Sequence, residues 1–209
     1  MKHFIIIFII LLSNNIKAQN YDTSRFITSI NFNFNNRFNY SVKKLYNIHG
    51  FKIGFTIFQK HKFGIGFNYL YTKLYYLKTL SIDNITYNIK SPLTYYFISA
   101  FYEPILYQDK HWELSFPFQI GVGPSYFSYW IDNKHIKCNN ESIINLESVL
   151  SGHYKIFWWV GIGSGFGYNY NIKANSQIQK SFNGFVFYAK IKVFVGDIYR
   201  RLYQKNNKK

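Results

Sequence analysis

Residues 154–172 read YKIFWWVGIGSGFGYNYNI. Glycine fills positions 161, 163, 165 and 167. Ile156, Trp158, Val160, Ile162, Phe166, Tyr168, Tyr170 and Ile172 hold the other parity. A repeat of two places alternate residues on opposite faces of a β-strand, whereas a helix would scatter both sets around its circumference. The segment also exceeds the usual soluble strand of about 5–6 residues. A strand crossing a bilayer needs about 9–11 residues at a steep tilt, often with extensions beyond it. The question is therefore which solvent the large face meets.

The alternation recurs along the chain. Phe26, Ile30, Phe32 and Phe34 alternate with Ser29, Asn31 and Asn33. Phe51, Ile53, Phe55 and Ile57 alternate with Lys52, Gly54 and Thr56, and Phe63 to Tyr71 follow the same rule. Tyr96, Ile98, Ala100 and Tyr102 form a further run, although Phe97 and Phe101 leave its facing open. Trp112 to Val122, Ile144 to Leu150, the quoted segment and Phe185 to Val195 complete eight expected strands. Short turns are expected near Gln59–Lys62, Leu106–His111 and Ser151–Lys155. Long polar loops are expected at Asn35–His49, Leu77–Lys90, Ser128–Asn140 and Lys173–Ser181. Turns on one side and loops on the other follow the pattern of transmembrane barrels.

Two solvents compete for the large face. A soluble, lipocalin-like barrel would turn it inward around a hydrophobic ligand. Yet an eight-stranded interior is only just wide enough for its side chains, and this many aromatics would overfill it. Turned outward, the large face meets lipid and the Gly, Asn, Ser, Lys and Glu face fills a narrow core. Closure then satisfies every backbone group in lipid. Gly161, Gly163, Gly165 and Gly167 become lumen glycines that leave room for large inward residues such as Tyr188 or Phe194. Tyr69, Tyr71, Tyr75, Tyr76, Tyr126, Tyr129, Trp130, Tyr168 and Tyr170 fit a loop-side aromatic girdle; Trp112, Tyr154 and Phe157 fit one on the turn side.

The N-terminus, MKHFIIIFIILLSNNIKAQN, has a short basic start, an apolar core too short to span a bilayer, and Ala18 before a cleavage point. This reads as a signal peptide over 1–18, followed by a barrel over 19–196 and a basic periplasmic tail over 197–209. The formal charge of +16 falls to about +14 when Lys2 and Lys17 leave with the signal. An exported chain rarely meets nucleic acid, so the basic balance points to a phosphate-rich surface such as lipopolysaccharide. Cys138 is the only cysteine, which excludes an intrachain disulfide and a cysteine metal cluster.

Catalytic signatures are absent. The glycine run lacks the GxGxxG spacing, and Ser164 lacks the nucleophile-elbow context. No metal ligand set or cofactor is expected. His61, His111 and His153 fall in or beside turns, and His49 and His135 on the loop side. His49 with Asp83 or Asp132 is the one imaginable acid–base pair. Glu103, Glu113 and Glu147 face inward near the turn side. They form an expected lumen charge network with Lys155, Lys190 and Lys192, and with Lys62, because buried charges need partners. Such a network plugs the lumen rather than conducting.

With its signal peptide and stretches such as WELSFPFQIGVGPSYF and WWVGIGSGFGYNYNI, the chain resembles the small eight-stranded outer-membrane barrels of Gram-negative bacteria, OmpA-like and OmpX-like. The resemblance implies an all-β, antiparallel, up-and-down transmembrane β-barrel. It also implies a monomer in outer-membrane lipid, inserted by the barrel assembly machinery. These barrels often end on an aromatic residue, whereas here GDIYRRLYQKNNKK follows Val195. The expected role is structural or surface interaction through the loops, with Lys43, Lys44, Lys73, Lys78, Lys134 and Lys137 facing lipopolysaccharide or an external ligand. A lipid A-modifying enzyme and a narrow channel are the alternatives.

Overall fold

A computed structural model describes residues 27–41, 44–82, 85–131, 134–173, 182–196 and 198–199. The expected signal peptide and nearly all of the expected tail lie outside them. The strands are β1 (Ile27–Ser41), β2 (Lys44–Ile57), β3 (His61–Leu70), β4 (Tyr75–Ile82), β5 (Ile85–Gln108), β6 (Trp112–Ser115), β7 (Phe118–Ile131), β8 (Lys134–Lys155), β9 (Val160–Lys173) and β10 (Gly184–Val193). Two pairs are single staves with a break. Residues 71–74 separate β3 from β4, and Phe116 and Pro117 separate β6 from β7. Every pairing is antiparallel between neighbours. β1 meets β10, with Phe32 opposite Val193, and β3 meets β5, with Phe63 opposite Tyr102. The result is a closed, eight-stave, up-and-down barrel.

The facing follows the expected parity. Ile98, Ile162, Phe166, Ile172, Phe187 and Ile191 are at least half exposed or close to it, while Asn31, Asn33, Asn35, Lys52, Ser99, Glu103, Asn145 and Lys192 are buried. This inversion of a soluble core, with apolar side chains outside and polar ones inside, is the arrangement a lipid solvent selects. β5 resolves its own ambiguity. Tyr96, Ile98, Ala100 and Tyr102 face out, and Phe97 and Phe101 face in.

Those inward rings account for many glycines. A Cβ on Gly54 would lie 2.8 Å from the Phe101 ring, and one on Gly121 would lie 2.8 Å from Phe97 Cε2. The β9 glycines face mostly β8. Gly163 abuts the His153 ring, Gly165 and Gly167 abut Val149, and Gly161 lies near Phe194. Tyr188 sits directly opposite Gly165 in register, but Val149 rather than Tyr188 is the nearest side chain to that glycine.

Several sequence expectations need correction. Asn35–His49, Leu77–Lys90 and Ser128–Asn140 are not loops over their length. They are paired extensions of β1 with β2, β4 with β5, and β7 with β8. In the first and third of these, large residues such as Arg37, Tyr46, Ile48 and Tyr129 point into the lumen, so the contrast between a large outer face and a small polar inner one fades while the backbone pairing continues. Residues 174–181 of the fourth stretch lie outside the described residues. β8 runs through Ser151–Lys155, and the turn is at 156–159. Ile156 and Trp158 therefore belong to that turn rather than to the strand. β10 ends at Val193, short of Val195. Tyr129 is buried and leaves the girdle.

Candidate functional site: the filled lumen and the outer ribbons

The turn-side half of the lumen holds a cluster of ion pairs. Lys62 on β3 donates to Glu103 on β5 at 3.2 Å and also bonds Glu113 on β6. Lys192 on β10 donates to both oxygens of Glu113, at 2.7 and 2.8 Å. Ser115 donates to Glu103 at 2.8 Å. Alternation delivers these groups, because each occupies an inward position of its strand. His153 also points into this cluster, 3.6 Å from Glu113, rather than lying in a turn as its sequence position suggested.

Glu147 sits apart from Glu103 and Glu113. Arg37 on β1 donates to it at 3.0 Å, and the Tyr188 hydroxyl donates to its other oxygen. Arg37 also bonds Asn68, and its guanidinium lies between the Phe97 and Tyr188 rings, 5.4 and 5.3 Å from their centroids. Sequence reasoning missed Arg37 because it fell within the stretch taken as a loop. Its parity with Asn31, Asn33 and Asn35 was the available signal. Lys190 donates to Ser151 at 2.9 Å. Lys155 stands at the turn-side end, its ammonium 4.3 Å from the Phe194 ring.

Above Arg37 the lumen turns apolar. Tyr46, Ile48, Leu93, Tyr95, Phe97, Phe127, Ile143 and Phe182 form one buried cluster. Tyr95 and Phe182 stack at 4.5 Å, and Tyr46 meets Phe182 at 4.4 Å. Charged pairs below and aromatic rings above fill the barrel.

Glu103, Glu113 and His153 place potential ligand atoms within 4.8 Å of one another. The Lys62 and Lys192 ammoniums already occupy the two carboxylates, so a divalent cation would have to displace both. The histidine of the imagined acid–base pair, His49, stacks on Tyr71 at 4.4 Å with 11° between the rings. Asp83 and Asp132 lie outside the described residues, as does Lys43. Of the remaining outer lysines, Lys73 and Lys137 are exposed, and the Lys137 ammonium lies 4.8 Å from the Tyr126 ring. Lys44, Lys78 and Lys134 fall on the ribbon backbones.

No protein-family model matches the chain, and no curated protein matches it in sequence. Solved structures do. Neisserial surface protein A superposes with a TM-score of 0.53 at 14% identity, covering 78% of this chain and 94% of that one. This chain has the fold of a small outer-membrane β-barrel. Fainter likenesses are to the N-terminal β-barrel domain of Pseudomonas aeruginosa OprF (TM-score 0.44, 8% identity, 80% and 97% coverage) and to Ail of Yersinia pestis (TM-score 0.44, 13% identity, 79% and 95% coverage). At that distance they add nothing on function.

Proposed function

We infer that the chain is an integral, non-catalytic outer-membrane protein whose work is done by the ribbons it raises above the bilayer. The carrying observation is strand length. β5 has 24 residues and β8 has 22, where crossing the membrane takes about 9–11. The outward apolar positions of β5 run from Tyr96 to Leu106, so Ile85–Tyr95 stands beyond them on the side away from the short turns. Rigid paired ribbons hold side chains at fixed spacing, as a surface-contact element must.

Exposed Lys73, Lys90 and Lys137 on or beside these ribbons favour an anionic contact, namely the phosphate groups of lipopolysaccharide. The N-terminal leader fits export, and the barrel assembly machinery is the insertion route that the architecture calls for. A monomer suits a barrel whose sheet edges are all closed within one chain.

The test is expression of the full chain with its leader, membrane fractionation, and gel mobility with and without boiling. Outer-membrane recovery with a heat-dependent shift is the expected result, together with weaker lipopolysaccharide binding when Lys73, Lys90 and Lys137 become Gln. A soluble periplasmic product without a shift would overturn the barrel-in-lipid reading. A lipid A mass change lost on His49→Ala would replace the surface role with an enzymatic one.

A further inference from the structure

The lumen carries more positive charge than its partners neutralise. Among the described residues, the buried inward cations are Arg37, Lys52, Lys62, Lys190 and Lys192, and the buried carboxylates are Glu103, Glu113 and Glu147. Each carboxylate is engaged: Glu103 by Lys62, Glu113 by Lys62 and Lys192, Glu147 by Arg37. Lys52 and Lys190 remain without an ion pair. Lys190 has the Ser151 hydroxyl and the face of Tyr188, 4.8 Å away. Lys52 has only the face of Phe101, at 5.1 Å.

Both ammoniums reach away from their own strands, Lys52 to Phe101 on β5 and Lys190 to Ser151 on β8, the two staves that flank β7. In the β10–β1–β2 register, Asn33 stands between Lys192 and Lys52, and Asn35 stands between Lys190 and Gly50. Lys190 and Lys52 therefore start from the two strands that flank β1, with Asn33 and Asn35 between them. Asn35 is buried with neither amide atom hydrogen-bonded. Gln119, opposite Phe101 in the β5–β7 register, is likewise buried with both amide atoms unpartnered. Two buried ammoniums without counterions beside idle amide donors are the makings of an anion site.

The geometry points to a single small inorganic anion, of the size of chloride, held inside the barrel between Lys52 and Lys190 with Asn35 and Gln119 as supporting donors. Size follows from the lumen, which at eight staves leaves little space beyond the side chains. Internal water alone satisfies the amides but supplies neither ammonium with an ion-pair partner. This inference is independent of what the outer ribbons bind, since it concerns the lumen.

The probe is bromide. Refolded full-length protein is crystallised in bromide, and its anomalous scattering is mapped. In parallel, the temperature of the heat-dependent gel shift is followed in bromide and in gluconate, which is too large to enter. The expected result is a bromide peak between Lys52 and Lys190, and a transition that rises saturably with bromide and not with gluconate. Lys52→Met should weaken that dependence by about tenfold or more. Lys190→Gln is the second variant, should Lys52→Met fail to form the barrel. No luminal peak, equal response to both salts, or an unchanged peak in the variants (an adventitious ion only) would each overturn the proposal.

Discussion

Arg37 on β1 donates to Glu147 on β8 at 3.0 Å, across a lumen that separates their strands by three steps around the barrel. Both side chains are almost fully buried. Breaking such a pair from one side strands a charge, which costs about 3–5 kcal/mol. Glu147→Gln should lower barrel stability by that order, and Arg37→Met with Glu147→Met should cost less than Glu147→Gln alone. Urea unfolding of the refolded protein, followed by the heat-dependent gel shift, reads both. Equal losses for the single and double variants would mean that the pair is not the source.

Ile98 is 62% exposed. In a soluble protein Arg at such a position is nearly neutral, while on a lipid-facing wall near the bilayer middle it costs about 2–4 kcal/mol. Ile98→Arg should therefore destabilise the folded barrel in lipid vesicles by that amount. An unchanged unfolding curve would remove lipid as the outer solvent.

Phe97 and Gly121 are complementary. A Cβ at Gly121 meets the Phe97 ring first, and the nearest backbone atom, the Ile98 carbonyl oxygen, is 3.4 Å away. Gly121→Ala should cost about 1–3 kcal/mol through overpacking. Combined with Phe97→Leu it should cost less than the sum of the two separate changes. Strict additivity in a double-mutant cycle would contradict the contact.

The β2–β3 turn is strained at a definite place. Phe58 and Gln59 have φ of 48° and 57°, and the Lys60 N–H donates to the Ile57 carbonyl at 3.1 Å. Both central residues are in the left-handed region, the tight hairpin turn that favours Asn-Gly. Gln59→Gly should stabilise the barrel by about 1 kcal/mol, the left-handed penalty less the entropy of glycine. A loss of stability on that change would place the strain elsewhere.

Asp109, in the β5–β6 turn, accepts the Trp112 and His111 N–H groups at 2.6 and 2.7 Å and the Tyr107 hydroxyl at 2.9 Å. The Trp112 bond first, then that of His111, holds its carboxyl below the ordinary 3.8. A depressed folded value means that the turn gains order above the unfolded pKa and loses it as pH falls through the folded one. Carbon chemical shifts of Asp109 in micelles should titrate below 3.8. A midpoint at or above that value would contradict the three bonds.

The eight staves were legible wherever lipid meets one face, because Phe, Ile and Tyr then sit opposite Gly, Asn and Ser with full contrast. Contrast fails where the inward face also carries large residues, as Arg37, Tyr46, Ile48 and Tyr129 do, so the ribbons at Asn35–His49 and Ser128–Asn140 read as loops. It fails again at 156–159, where aromatics of the membrane edge continue the pattern into a turn. These failures hid two members of the charge network, Arg37 and His153. Glu103, Glu113 and Lys192 declared themselves as charges inside apolar alternation. Arg37 lay in an unmarked stretch, and His153 was assigned to a turn that the strand in fact passes through. Which carboxylate meets which cation is set by the shear between staves, a quantity that no single strand encodes.

The seam between β1 and β10 joins the two ends of the chain in register, from Phe32 with Val193 to Asn39 with Val186. Contacts of such sequence separation form late, since their loop-closure entropy must be met before they contribute. Until β10 docks, β1 and β9 each present a bare edge, the form most prone to pair with the wrong chain. Synthesis from the N-terminus thus delivers the sealing strand last. Between the emergence of β1 and the arrival of β10 the sheet is an open ribbon with two adhesive margins, and the last strand is what turns it into a wall without a border.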